Sequence, residues 1–233
     1  MKKGRDWIIL YPLTILSVLC CAYWGSHAVS TFSENAPIQR AHCIVIDPGH
    51  GGVDGGATSC SGILESQYNL EIALRLDDFF HLLGYDTRLI RDQDISVYTK
   101  GNTIAQKKIS DLKERVRIAN ETENAILLSI HQNHFSDPRY SGAQVFYGIS
   151  EGSAILAEYL QTALCTALDT HNHRQAKKSS GIYLMEHIQC TGVLIECGFL
   201  SNPQDEAKLR SSDYQKKLCA VIGSTVSSFL SNT

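Results

Sequence analysis

The chain has 233 residues, 43% of them hydrophobic and 19% charged, which suits one sizeable domain with its own core. A formal net charge of -3 supplies no global basic field, so nucleic acid is not an expected partner.

Lys2, Lys3 and Arg5 precede an uncharged stretch from Trp7 through Trp24, long enough to cross a hydrocarbon core. Basic residues followed by an apolar run mark an export signal, so residues 1–30 are expected to be a cleaved signal peptide or a retained membrane anchor. Ser26-His27-Ala28 offers small residues in cleavage spacing. Cys20 and Cys21 lack the small preceding residue of a lipid-attachment site. Residues 31–40 are polar, carry Pro37 and read as a linker. The protein is therefore expected to act outside the cytoplasm, anchored to the membrane or released from it. The eight cysteines include no C-x-x-C pair. Cys43, Cys197 and Cys219 lie in apolar runs and read as small core residues, whereas Cys60 and Cys190 fall in loops where a single bridge is open.

From residue 41 to 231 the chain alternates strand and helix signals. Cys43 to Asp47 reads as a strand; Glu65 to Leu83 carries apolar residues at helical spacing and stops at Gly84. Tyr85 to Ile90 alternates as a strand, and Asp111 with Glu114 suggests a capping box opening a helix through Val116, Ile118 and Ala119. Strands follow at Ala125 to Ile130 and Ala143 to Tyr147, a helix at Ser153 to Leu168, a strand at Thr191 to Ile195 and a helix at Tyr214 to Leu230. This order predicts a single α/β domain with a mixed, largely parallel sheet sandwiched between helices. In such sheets reactive residues gather where strands end.

Four residues at strand ends or at a helix start carry chemistry. His50 follows Pro48-Gly49, His131 ends an apolar strand, and Glu65 opens a helix. Taken singly, each has a plain explanation: a loop histidine, a rim histidine, a carboxylate at a helix N-terminus. Together, two imidazoles and a carboxylate form a ligand set that leaves a Zn2+ ion one open position. Asp47 is placed to orient the ring of His50 or to cap a turn. Glu196 ends a buried strand, where a carboxylate is costly unless paired in a salt bridge or used as a base with a raised pKa. Asn133 and His134, just beyond His131, are candidates for contact with substrate rather than metal.

These residues fall into ordered motifs: His50-Gly51-Gly52-x-Asp54-x-Gly56-Ala57, Glu65, Arg91-x-x-Asp94, Arg115-x-x-x-Ala119-Asn120, Ser129-Ile130-His131-x-Asn133 and Glu196-x-Gly198-Phe199-x-Ser201-Asn202. The set resembles the zinc-dependent N-acetylmuramoyl-L-alanine amidases of bacterial cell walls over roughly residues 43–231. Within that family, Ser141 to Tyr147 and Gly181 to Met185 resemble the spore-cortex, germination-type subgroup, which has no separate wall-binding repeats. Thr191, His134 and Cys197 depart from the family's usual residues, and none is a ligand.

The resemblance implies that His50, Glu65 and His131 hold one Zn2+ per chain, with Glu196 as the catalytic carboxylate. It further implies peptidoglycan as substrate, a muramic-acid deacetylase acting next towards muramic δ-lactam, and a possible activating partner protein. A vegetative-wall amidase, a zinc carboxypeptidase acting on stem peptides and a non-catalytic wall-binding protein are the alternatives.

Overall fold

The computed structural model describes residues 42–232, so the expected signal or anchor and the linker lie outside the described residues. No described helix is long and apolar enough to cross a membrane. The described chain runs β1 (Cys43–Pro48), α1 (Glu65–Leu82), β2 (Asp86–Leu89), α2 (Ile104–Glu121), β3 (Ala125–Asn133), β4 (Gln144–Tyr147), α3 (Ser153–Leu168), β5 (Lys177–Lys178), α4 (Tyr183–His187), β6 (Thr191–Phe199), α5 (Pro203–Leu209) and α6 (Ser212–Ser231).

The strands form one sheet in the order β2-β1-β3-β6-β4-β5. β2, β1, β3 and β6 are mutually parallel, while β4 runs antiparallel to β6 and carries β5 parallel at the edge. Mixed and mostly parallel, the sheet is as the alternation of elements predicts.

Side-chain alternation along the central strands separates two cores. Ile44, Ile46, Ile126, Leu128, Ile130, Val193 and Ile195 pack with α1, α3 and α6 around Leu76, Phe80, Leu160, Ile222 and Val226. Val45, Leu127 and Leu194 point to the other face, against Ile118 and Ala119 of α2 and Leu184 and Met185 of α4. That second core is the smaller one. Near the C-terminal ends of β1, β3 and β6 the same alternation continues with polar residues, Asp47, Ser129, His131 and Glu196, on the face that α2 and α4 cover.

Several boundaries differ from the expectation. α2 starts at Ile104 rather than Asp111, because Thr103 and Gln106 form the capping box; the Thr103 hydroxyl accepts from the Gln106 N–H, and the Gln106 amide oxygen accepts from the Thr103 N–H. Asp111 instead accepts from the Val97 N–H and pairs with Arg115. β3 and β6 outlast their apolar runs, ending at Asn133 and Phe199: His131 still pairs with Glu196, and Asn133 with Phe199 past an irregularity in the register. Two short helices lacked a periodic signature, although Asn202, which caps α5 through the N–H groups of Gln204 and Asp205, and Pro203 at its first turn are an N-terminal signal. Cys197 and Cys219 are buried, Cys43 only partly, and all six described cysteines are unbridged, Cys60 and Cys190 included.

Beneath the polar sheet edge lies a buried ion pair. The Arg115 guanidinium, 3% exposed, donates to Asp47, 1% exposed, and Asp47 also accepts from the Ser129 hydroxyl at 2.7 Å. Burial pushes the Asp47 carboxyl up, but Arg115, then His131 and Ser129, outweigh it and hold it below its ordinary value. A carboxyl depressed in the fold contributes stability above its unfolded pKa, about 4, and that contribution is lost as pH falls through the lower folded value. Asp47→Asn is therefore expected to cost about 3 kcal/mol at pH 7. In urea titrations the gap from wild type should narrow below about pH 4; a gap that is absent at neutral pH, or that widens in acid, contradicts this account.

Candidate metal centre

The chain leaves β1 through a left-handed loop. His50 has φ 62°, unusual for a non-glycine residue, and two buried arginines hold it there. Arg91 donates to the carbonyls of Pro48 (2.9 Å), Gly49 (3.0 Å) and Ser66 (2.9 Å). Arg115 donates to those of Pro48 (2.9 Å) and His50 (2.7 Å). Every carbonyl from Pro48 to His50 thus points at a guanidinium, so the imidazole of His50 is turned out of the loop. Burial, with the charge of Arg115, brings the Arg91 pKa down to about 10, still well above neutrality.

Two glycines make room for the rings. A Cβ on Gly49 would lie 2.2 Å from the ring of His131, and a Cβ on Gly56, which has φ +70°, would lie 2.6 Å from the Glu65 carboxylate and 2.7 Å from the His50 ring.

Glu65 opens α1 and is buried. Its Oε2 accepts from the Ala57 N–H (3.0 Å), and its Oε1 accepts from the Gln132 N–H (3.2 Å) and the Asn69 amide (3.3 Å). Oε2 also lies 3.2 Å from His50 Nε2, and Oε1 3.0 Å from His131 Nδ1. Burial opposes ionisation of Glu65, but the two imidazoles outweigh it and hold the carboxyl far below the usual carboxylate range.

His50, Glu65 and His131 each offer one ligand atom, and these atoms lie within 4.8 Å of one another. Three residues, spread over more than eighty positions of chain, thus converge. Two imidazoles and a carboxylate suit a borderline cation such as Zn2+.

The ring of His50 is oriented by Asp54 rather than by Asp47. Asp54 Oδ2 lies 3.0 Å from His50 Nδ1, whereas Asp47 is spent on Arg115 and Ser129. The reason is topological. Asp47 belongs to β1 and points beneath the loop, while the Gly51–Asp54 turn, closed by hydrogen bonds of 2.7 and 3.2 Å, folds Asp54 back onto the ring. Burial opposes protonation of His50, but Asp54 and Glu65 raise its pKa to about 9. The signal for Asp54 was its place four residues after His50 in a glycine-rich loop.

Glu196 pairs in register with His131 across the parallel β3–β6 ladder, so the two side chains share a face. Its Oε2 is buried and finds no hydrogen-bond partner. Burial, opposed by His131 and reinforced by the charge of Glu65, pushes its pKa up to about 7. Among the described ion pairs none involves Glu196. Asn133 closes β3 and His134 is exposed in the loop that follows; neither belongs to the three-ligand cluster.

A cleft of about 110 Å³ opens between the sheet edge, α2 and α4, with Gly49, His50, Asp54, Lys108, His131 and Leu184 among its walls. Two of the three cluster residues, His50 and His131, line it.

Comparison with known proteins agrees with this geometry. Residues 44–228 match the family model described as N-acetylmuramoyl-L-alanine amidase. The germination-specific N-acetylmuramoyl-L-alanine amidase of Bacillus subtilis is 34% identical over 224 residues, covering 95% of this chain and 93% of that protein. The amidase LytC of the same organism is 31% identical, over 77% of this chain and 34% of its own length. Among solved structures, the CwlD amidase of Clostridioides difficile, in complex with the GerS lipoprotein, superposes with a TM-score of 0.79 at 34% identity, covering 82% of this chain and 100% of that one. On the family match and the likeness to the germination-specific Bacillus subtilis enzyme, the chain belongs to the N-acetylmuramoyl-L-alanine amidase family.

Proposed function

We propose that this amidase depends on one Zn2+ held by His50, Glu65 and His131, and that it hydrolyses the amide between the lactyl carboxyl of N-acetylmuramic acid and L-alanine in spore-cortex peptidoglycan. The observation that carries the reading is Glu196: a carboxyl with a pKa near 7 and an unpartnered buried oxygen, on the strand position beside His131. A binding module has no chemical need for such a group, and its burial is costly unless it is used.

Zinc in this ligand set supplies Lewis-acid polarisation of a carbonyl and lowers the pKa of water towards 7. The chain's own residues do the rest. Asp54 engages Nδ1 of His50, which leaves Nε2 for the cation, and the N–H groups of Ala57 and Gln132 fix Glu65. Glu196 takes the proton of the attacking water and passes it to the leaving amine of L-alanine, a task suited to a group that titrates near neutrality. Asn133 and His134 contact the substrate beyond His131.

The cortex role rests on likeness to the germination-specific Bacillus subtilis enzyme, and the signal or anchor expected at residues 1–30 would agree with action outside the cytoplasm. Hydrolysis leaves a muramic acid with a free lactyl carboxyl. A deacetylase that frees its amine next would allow δ-lactam closure. An activating partner protein is part of the reading, by analogy with the Clostridioides difficile enzyme solved with its lipoprotein.

Glu196→Gln is expected to keep the fold and the zinc but to lose turnover by about a thousandfold, as for removal of a general base; near wild-type release of stem peptide would remove Glu196 from that role. His131→Ala and Gly49→Ala should both lower zinc content by metal analysis, the second because its Cβ would meet the His131 ring at 2.2 Å. Full zinc occupancy in either would contradict the ligand set. Muropeptide mapping of digested cortex should show intact stem peptides; single amino acids trimmed from stem termini would instead mark a carboxypeptidase.

A further inference from the structure

The three ligands sit on three separate segments, and one buried side chain outside the ligand set is bonded to all three segments. Asn69 lies four residues after Glu65 on α1 and so shares its helix face, one turn on. Its Nδ2 donates to the carbonyl of Gly49, the residue before His50, at 3.1 Å, and to Glu65 Oε1 at 3.3 Å. Its Oδ1 accepts from Nε2 of Gln132, the residue after His131, at 3.2 Å. A carbonyl and a carboxylate can only accept, so the Asn69 amide has one way to point.

The connection closes on itself. The Gln132 N–H donates to the same Glu65 Oε1 at 3.2 Å, so carboxylate, Asn69 amide and Gln132 form one hydrogen-bonded ring that joins α1 to β3. Arg91 shares the Gly49 carbonyl at 3.0 Å, but its other described bonds go to Pro48, Gln93 and Ser66. Helix formation gives no reason for the residue type, because asparagine is a poor helix former, and a buried carboxamide is costly unless its bonds are made.

We infer that Asn69 is a positioning residue of the metal centre: it holds the loop after β1, the start of α1 and the end of β3 at the mutual spacing that brings His50, Glu65 and His131 onto one Zn2+. The inference rests on the zinc reading and deepens it, since Asn69 itself supplies no ligand atom. Without Asn69, Glu65 keeps the N–H groups of Ala57 and Gln132, and the Gly49 carbonyl keeps Arg91. The fold therefore persists while the spacing of the ligand segments slackens.

Chelator competition for Zn2+ on the full-length chain, with the urea midpoint of the metal-free form measured beside it, separates positioning from simple stability. Asn69→Leu, close in volume, removes all three hydrogen bonds and should weaken zinc by about ten- to a hundredfold, the range for losing a group that orients a metal ligand. Gln132→Met keeps both bonds that Asn69 donates and should weaken it less. In the double variant no orphaned amide remains between the two positions, so the urea midpoint should return towards that of wild type while zinc affinity stays low. A side chain that only stabilises the core shows the opposite, a lowered midpoint with unchanged affinity. Wild-type affinity in Asn69→Leu or in the double variant overturns the inference and leaves the zinc reading standing. Should Asn69→Leu not fold, Gln132→Met and the double variant decide: weakened zinc supports the inference, and wild-type affinity overturns it. If the wild-type chain itself takes up no Zn2+, the ligand-set reading fails and the inference falls with it.

Discussion

Two guanidiniums buried beneath the end of β1 are the constraint on which the rest of the site depends. Arg91 and Arg115 together take the carbonyls of Pro48, Gly49 and His50, and so stabilise a backbone conformation that a histidine rarely adopts. The turn that follows returns Asp54 to the ring, and the glycine before it admits His131. Neither arginine touches the ligand atoms. Each converts buried charge into backbone geometry, and the cost of burying it is offset by Asp47 and Asp111 for Arg115 and by oriented carbonyls for Arg91.

The same region sorts its carboxylates by environment. Asp47, Asp54 and Glu65 each have imidazole, ammonium or guanidinium partners and are held low, whereas Glu196 shares their neighbourhood without a partner of its own and is raised. Groups with identical chemistry are thereby divided between scaffold, ligand and proton carrier. Parallel pairing of β3 with β6 is what brings the raised one beside His131.

Much of this was legible in the linear chain because its periodicities are strong. The alternation of elements and the bounds of α3 follow from apolar spacing. The start of α2 was misplaced because two capping patterns compete within eight residues, and only tertiary contacts assign Asp111 to Arg115 instead of to a helix end. α4 and β5 are too short to show a period at all.

The sequence by itself determined the residue types: two imidazoles and two carboxylates at strand ends or a helix start, in an order that identifies the family. Only the tertiary structure decided how they divide the work. Whether Asp47 or Asp54 faces His50 depends on strand alternation against a turn closed by two backbone hydrogen bonds. Whether Glu196 is paired or alone depends on which side chains from distant segments reach it, and burial with charge at a distance sets its pKa. Those are properties of three-dimensional neighbours, which linear spacing does not encode.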